Sequence, residues 1–418
     1  MKQPLFLYPA DILLPNKQID LSKFSVIACD QYTSQPDYWQ RVKQSTQHVP
    51  SAYHLIFPEA DLHTQPFAKK INEINQQMEQ YLKDCVFDTI FNSLIYVERT
   101  LKNGSIRKGI IGMIDLEQYD YQKGAQSSIR ATEETVLERI PPRVQIRKNA
   151  CLELPHIMLL MDNPKQNIIE PLGQIKSKHL PLYEFELMEQ SGTLSGWKIP
   201  AQQIEQLQTA LQDLAQTTIS NQEQSMLFAV GDGNHSLAAA KACYEELKHT
   251  LSKEELKNHP ARYALVEIVN LHDNSLVFEA IHRVVFDVDT EHLLHYLTQT
   301  LHLAPKSCVC EQSFIYQTKD KQLHYTIGNP FHSLTVGSLQ HCLDQYILEF
   351  GGTIDYIHGE SVVAQLCQQP NTAGLILPCI QKSELFPTVI KEGSLPRKTF
   401  SMGEACDKRF YLEARKIR

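Results

Sequence analysis

The chain reads as an α/β protein built on a mixed sheet, and three observations predict it. β-branched runs at 93–97 and 109–114 flank Lys102-Asn103-Gly104, the pattern of a hairpin. After Pro200, Ile204, Leu207, Leu211 and Leu214 recur at the spacing of an amphipathic helix. A short apolar run at 226–230 leads through Gly231-Asp232-Gly233-Asn234 into a helix over about 235–248. Two further strands, 261–271 and 276–285, follow with Asp273-Asn274 at the turn.

With 418 residues the chain has room for two or three domains. We divide it into an N-terminal α/β region with an Arg-rich segment (1–195), a central loop-bearing region (196–290), and a C-terminal α/β region with a basic tail (291–418). The polar stretch 190–196 reads as a linker or exposed loop. Residues 129–134 lead into a helix expected to end at Ile140, because Pro141-Pro142 should stop it, with Thr132 as its N-cap.

A hydrophobic fraction of 42% and a charged fraction of 21% are those of a globular protein. The net charge of −8 argues against nucleic acid as a partner, since a basic face would be needed. No apolar run is long enough to span a membrane, and the N-terminus does not read as a signal peptide. Ten scattered cysteines without a CxxC pair fit reduced thiols in a cytoplasmic protein. Basic residues nevertheless gather at 130–148 and 397–418, either as solvated faces or as a local anion site.

The loop at 231–236 carries the most chemistry. A helix start offers free N–H groups and the positive end of a dipole to an anion. Gly231 and Gly233 allow close backbone approach, Asp232 and Asn234 can cap the helix, and His235 and Ser236 project from its first turn. Ala238, Ala239 and Ala240 let the helix lie close on a sheet. No Gly-Lys-Ser/Thr follows, so this is not a Walker loop.

Asp232-Gly233-Asn234-His235-Ser236, followed by alanines, resembles the Asp-Gly-His-His-Arg signature of the ParB/sulfiredoxin-like superfamily. That superfamily includes nucleotide-binding ParB domains, sulfiredoxin and free-serine kinases. Over nearly its whole length the chain is similar to the bacterial domain-of-unknown-function family 1015. The likeness rests on Cys29-Asp30-Gln31-Tyr32, Ile129-Arg130-Ala131-Thr132-Glu133 through Arg147, Glu153-Leu154-Pro155-His156-Ile157-Met158, and the segment 395–404. The resemblance implies a ParB/sulfiredoxin-like nucleotide-binding core with additional α/β regions. Here Asn234 replaces the signature's first His and Ser236 its Arg, so another base must hold any phosphate. The sulfiredoxin cysteine is missing, which argues against sulfinic-acid reduction.

Further candidate residues lie elsewhere in the chain. Arg130, Arg143 and Arg147 form a prospective clamp for phosphate or carboxylate, where a planar fork outperforms lysine. Glu133 and Asp30 are prospective general bases, with first-turn acid and turn-forming residue as their structural readings. His156, in an expected strand, reads as a buried, satisfied histidine or as a substrate contact. His282 and Arg283 lie within a strand, and Arg397 and Lys398 close the list of anion contacts. No His, Asp or Glu spacing is specific for a protein-held metal. A Mg²⁺ carried by ATP or ADP would need only one or two carboxylates, Asp232 first.

The leading expectation is nucleotide-dependent phosphoryl transfer to a small hydroxyl metabolite, with free serine the first candidate. Asp232, His235, Glu133 and Asp30 would form the catalytic set. A ParB-like nucleotide switch and a phosphatase acting on a phosphoamino acid such as phosphoserine are the alternatives. The switch should carry a basic recognition helix, whereas the helix after His235 mixes Lys241, Glu245, Glu246 and Lys248.

Overall fold

The computed structural model describes residues 5–62, 66–134, 140–221, 226–305 and 312–418, with the backbone alone at 218–221. Its contacts separate two compact units: residues 1–131, 135–276 and 404–418 form the first, and 132–134 with 277–403 form the second.

In the first unit the described residues build a nine-stranded mixed sheet. Its strands are β1 (Ile95–Thr100), β2 (Ile106–Asp115), β3 (Tyr119–Asp120), β4 (Ile129–Ala131), β5 (Met158–Met161), β6 (Tyr183–Glu186), β7 (Thr193–Lys198), β8 (Phe228–Asp232) and β9 (Tyr263–Asn270). Their spatial order is β6-β7-β1-β2-β9-β5-β8-β4-β3. The expected hairpin is β1–β2, antiparallel, with Asn103 Oδ1 accepting from the Ser105 N–H and Gly104 at φ 82°.

Alternation along the strands sets the two faces. Ile95, Val97, Ile111 and Leu265 join one core with Phe24, Tyr53, Phe57 and Leu412. Tyr96, Ile110, Ala264 and Val266 join the other, under Leu207, Leu211, Leu237 and Tyr244. Those last residues come from α3 (Ala201–Asn221) and α4 (Asn234–Lys248), preceded in the chain by α1 (Phe67–Lys83) and α2 (Ile140–Lys148). The helices expected after Pro200 and near His235 are therefore present. The alanine face of α4 does more than approach the sheet. Ala240 faces the sheet core, whereas Ala238 and Ala239 pack against Ile140 and Val144 of α2.

Three local expectations are corrected. Residues 193–196 are not a linker but part of β7, paired with β1 and β6. Their small side chains make room for neighbours: a Cβ on Gly196 would come within 2.2 Å of the Tyr183 ring. Ile140 begins a helix rather than ending one, because Pro141 and Pro142 sit in the first turn, where no N–H is required. Residues 135–139, where the helix expected after Thr132 would run, lie outside the described ones; the Thr132 carbonyl accepts from Leu395 N–H. His156 lies between strands, not in one.

The C-terminal tail returns to the beginning of the first unit. Phe410–Tyr411 pairs with Val26–Ile27, and Arg415–Lys416 pairs with Leu152–Glu153. This return brings residues near 30, 156, 232 and 408 within reach of each other.

The second unit is an antiparallel sheet around β10 (Phe278–Phe286). Beside it run β11 (Thr353–His358) and β12 (Ala373–Ile376), while β13 (Phe400–Met402) pairs with its first residues. Val284, Val363, Cys367 and Ile376 form its small core.

Candidate functional site

The site is best built from the start of α4. Gly233 occupies the N-cap position at φ 77°, and no side chain caps the helix. The first intrahelical bond runs from Leu237 N to Gly233 O, so the preceding N–H groups have no acceptor within the helix. Glycine is required here: besides the left-handed backbone, a Cβ would lie 2.9 Å from Ile157 Cα. The expected capping by Asp232 and Asn234 is not found. Asp232 Oδ1 instead accepts from the Gly233 N–H at 2.9 Å. Its Oδ2 lies 3.6 Å from Lys408 Nζ. Asp232 Oδ2 and Asn234 Oδ1 are buried and, among the described residues, have no hydrogen-bond partner.

Buried acceptors without partners are uncommon enough to need an explanation. Hard oxygen donors beside a helix N-terminus suit a Mg²⁺ carried by nucleotide phosphates, so the residues present fit that ion. Among the described residues, no three His, Cys, Asp or Glu side chains gather as a metal site of their own.

Asp30 and His156 come together in the same unit. Asp30 Oδ2 lies 3.7 Å from His156 Nε2, and the Tyr411 hydroxyl lies 2.8 Å from His156 Nδ1. His156 is thus a buried histidine with partners on both nitrogens. Burial pushes the Asp30 carboxyl up, but His156, Gln31, Lys408 and Arg143 together hold it below the ordinary carboxylate range. Lys408 therefore acts on both Asp30 and Asp232. Burial, reinforced by Asp30, pushes the neighbouring Cys29 thiol up to about 11, so it stays protonated at neutral pH.

The three arginines do not converge as a clamp. Arg143 pairs with Glu59, and Arg147 Nη1 pairs with Glu153 at 2.6 Å. Buried Arg130 donates from Nε to Ser127 O at 2.8 Å. Arg143 and Arg147 do line a cavity together with His156 and Ser236 of α4. His235 is half-buried on the same first turn.

Glu133, His282, Arg283, Arg397 and Lys398 belong to the second unit. Glu133 accepts the backbone N–H groups of Lys398 and Thr399 at 3.2 and 3.1 Å. Those bonds hold a turn in which Lys398 has φ 57°. Burial raises the Glu133 carboxyl above its ordinary range, against these two bonds. Arg283 is fully buried and donates to Gln340 Oε1 and to the carbonyls of Ile281, Arg397 and Lys398. His282 Nδ1 accepts from Leu377 N–H, and Arg397 Nε donates to the Tyr356 hydroxyl. In this unit the expected site residues are engaged in holding the fold.

Sequence reasoning missed the buried charges beneath the tail. Lys408 was counted only as part of a basic island. Arg99 and Arg107 stand opposite each other in the β1–β2 register and donate to the carbonyls of Cys406 and Asp407. Like charges opposed across strands are unfavourable, so the hairpin register itself could have flagged them. Burial, then Arg107, pulls the Arg99 guanidinium down to about 9. Arg409 bridges Glu267 and Glu413 at 2.6 and 2.7 Å, and Arg415 Nε meets Glu153 at 2.8 Å.

No curated protein matches the chain. Among solved structures, a conserved hypothetical protein from Pyrococcus furiosus is similar at a TM-score of 0.37 and 10% identity, over 73% of this chain and 95% of that one. A free serine kinase in complex with AMP gives a TM-score of 0.40 and 10% identity, over 73% and 92% of the two chains. SbnI from Staphylococcus aureus, with a C-terminal truncation, gives 0.38 and 8%, over 70% and 82%. The family model described as "Protein of unknown function (DUF1015)" matches residues 13–346, and the chain belongs to that family.

Proposed function

We propose that the start of α4 is the phosphate site of a nucleotide-dependent phosphotransferase acting on a small hydroxyl metabolite. The observation that carries this reading is the uncapped helix start at Gly233, flanked by Asp232 Oδ2, which accepts no hydrogen bond among the described residues and lies 3.6 Å from Lys408 Nζ. An anion on the first-turn N–H groups gains the helix dipole. Lys408 offsets the charge that Asp232 would otherwise set against it. Asp232 would hold a Mg²⁺ carried by the nucleotide, and that ion would supply neutralisation of phosphate charge.

In the transfer, the acceptor oxygen bonds to the terminal phosphorus as the bond from that phosphorus to its bridging oxygen breaks. The shortened nucleotide leaves with that oxygen, and the hydroxyl proton passes to Asp30. Asp30 is suited to this because His156 and Lys408 favour its ionised form, whereas Glu133 is engaged by two backbone amides. Positioning and charge stabilisation dominate such chemistry. The sequence resemblance nominates ATP or ADP as donor and free serine as acceptor.

The test is a thermal-shift titration of the full chain with ATP, ADP, CTP and pyrophosphate, each with Mg²⁺. At 100 times Kd a ligand adds about 2.7 kcal/mol of stability. A saturable shift with ATP or ADP, lost in Lys408→Met, is expected. No shift with any of the four overturns the nucleotide reading and brings forward hydrolysis of phosphoserine at the same helix start.

A further inference from the structure

The first turn of α4 opens onto a cavity of about 130 Å³. A single water needs roughly 10–15 Å³ on such a scale, and apolar cavities near 150 Å³ take up benzene-sized molecules. The space therefore admits a small organic molecule. Its walls are largely apolar: Leu55 and Phe57, Met78 of α1, Ile146 of α2, Ile157, and Ala239 of α4.

The polar side chains around it are mostly engaged elsewhere. Arg143 is paired with Glu59, Arg147 with Glu153, and His156 is held by Tyr411 and Asp30, while Arg147 Nη2 donates no hydrogen bond and Glu153 Oε2 accepts none among the described residues. Ser236, on the first turn of α4, brings a hydroxyl to this lining. Such a lining is a poor host for a zwitterion. An ammonium and a carboxylate taken from water need charged partners of their own, and here the two arginines are already neutralised by Glu59 and Glu153. A hydroxyl on an apolar frame asks for one or two hydrogen bonds, which this end of the cavity supplies.

We propose that the cavity binds a small hydroxyl compound with an apolar frame, its hydroxyl directed to the Ser236 turn of α4. Naming this occupant the phosphoryl acceptor rests on the phosphotransferase reading; the binding does not. The occupant differs in its apolar surface from free serine, which the sequence resemblance alone nominates, and under this proposal serine is not the compound this cavity holds.

Benzyl alcohol is a suitable probe, with L-serine as the polar control. Each is titrated into the full chain without nucleotide, following thermal stability and ligand-observed NMR. Two variants fill the space from different helices, Ala239→Leu on α4 and Ile146→Phe on α2, with circular dichroism to check folding. If Ala239→Leu fails to fold, Ile146→Phe decides. The expected result is saturable stabilisation of the wild type by benzyl alcohol, none by L-serine, and at least tenfold weaker binding in each folded variant. No saturable binding of benzyl alcohol, binding equal in wild type and filled variants, or saturable L-serine binding lost on filling would overturn the proposal. A parallel titration with MgATP separates the two claims. Benzyl alcohol binding with MgATP silent keeps the pocket and removes its assignment as acceptor site.

Discussion

Two regions of the molecule use the same residue types to opposite ends. In the second unit, Glu133, Arg283 and Lys398 meet around a left-handed turn, with the Glu133 carboxylate and the Arg283 guanidinium both hydrogen-bonded to it. At the start of α4, Asp232 and Asn234 keep buried oxygens that accept no hydrogen bond from a described residue. The first arrangement is closed and the second is open. The carboxyl groups register this difference, since burial raises Glu133 while His156 and Lys408 help hold Asp30 down. A carboxylate next to cations in sequence is therefore no guide to function until its partners are known. What distinguishes the two regions is the polar capacity left over.

The largest stability effect should come from the closed region. Arg283→Met strips donors from Gln340 and three carbonyls, and we expect a loss of about 3 kcal/mol, read from the denaturant midpoint. A loss below about 1 kcal/mol would mean that this guanidinium does not hold the turn.

Gly233→Ala tests the open region's backbone. Its φ of 77° and the 2.9 Å approach to Ile157 Cα should together cost about 2 kcal/mol. An unchanged melting temperature would show that the loop can adopt another path.

Glu133→Gln should cost about 1 kcal/mol, by weakening hydrogen bonds to two amides. It should also change the pH profile. A carboxyl raised in the folded state holds its proton more tightly there than in the unfolded chain. Wild-type stability should then fall as pH rises from the ordinary value of 4.5 through the higher folded value. The Gln variant should lose that slope, and a slope retained in it would assign the titration to another group.

Asp232→Ala should have the smallest effect on stability, about 0.5 kcal/mol, because it removes only a bond to the adjacent Gly233 N–H and a loose 3.6 Å ion pair with Lys408. A large loss would place Asp232 with the structural carboxylates and erase the contrast between the regions.

The sequence made the local elements legible and left their meetings hidden. The β1–β2 hairpin announced itself through Asn103-Gly104, and α3 and α4 through apolar spacing and the glycine loop. β7 escaped because its glycine and serines, chosen to fit Tyr183 and the neighbouring strands, look like loop residues. Of the candidate site, the loop at Asp232–Ser236 and the acid at Asp30 were readable. Lys408 and Tyr411 were not, because they reach the site through pairing of Phe410–Tyr411 with Val26–Ile27, almost the full chain length away. Such long-range pairing leaves no periodic trace in either segment. The surroundings of Glu133 are hidden for a related reason: its partners, Lys398 and Thr399, lie far along the chain.

Calorimetric titration of MgATP into wild type, Asp232→Ala and Glu133→Gln tests the central claim most directly. The account predicts at least tenfold weaker binding in Asp232→Ala and wild-type affinity in Glu133→Gln. Affinity lost in Glu133→Gln and kept in Asp232→Ala would contradict it, placing the working carboxylate in the region here assigned to structure.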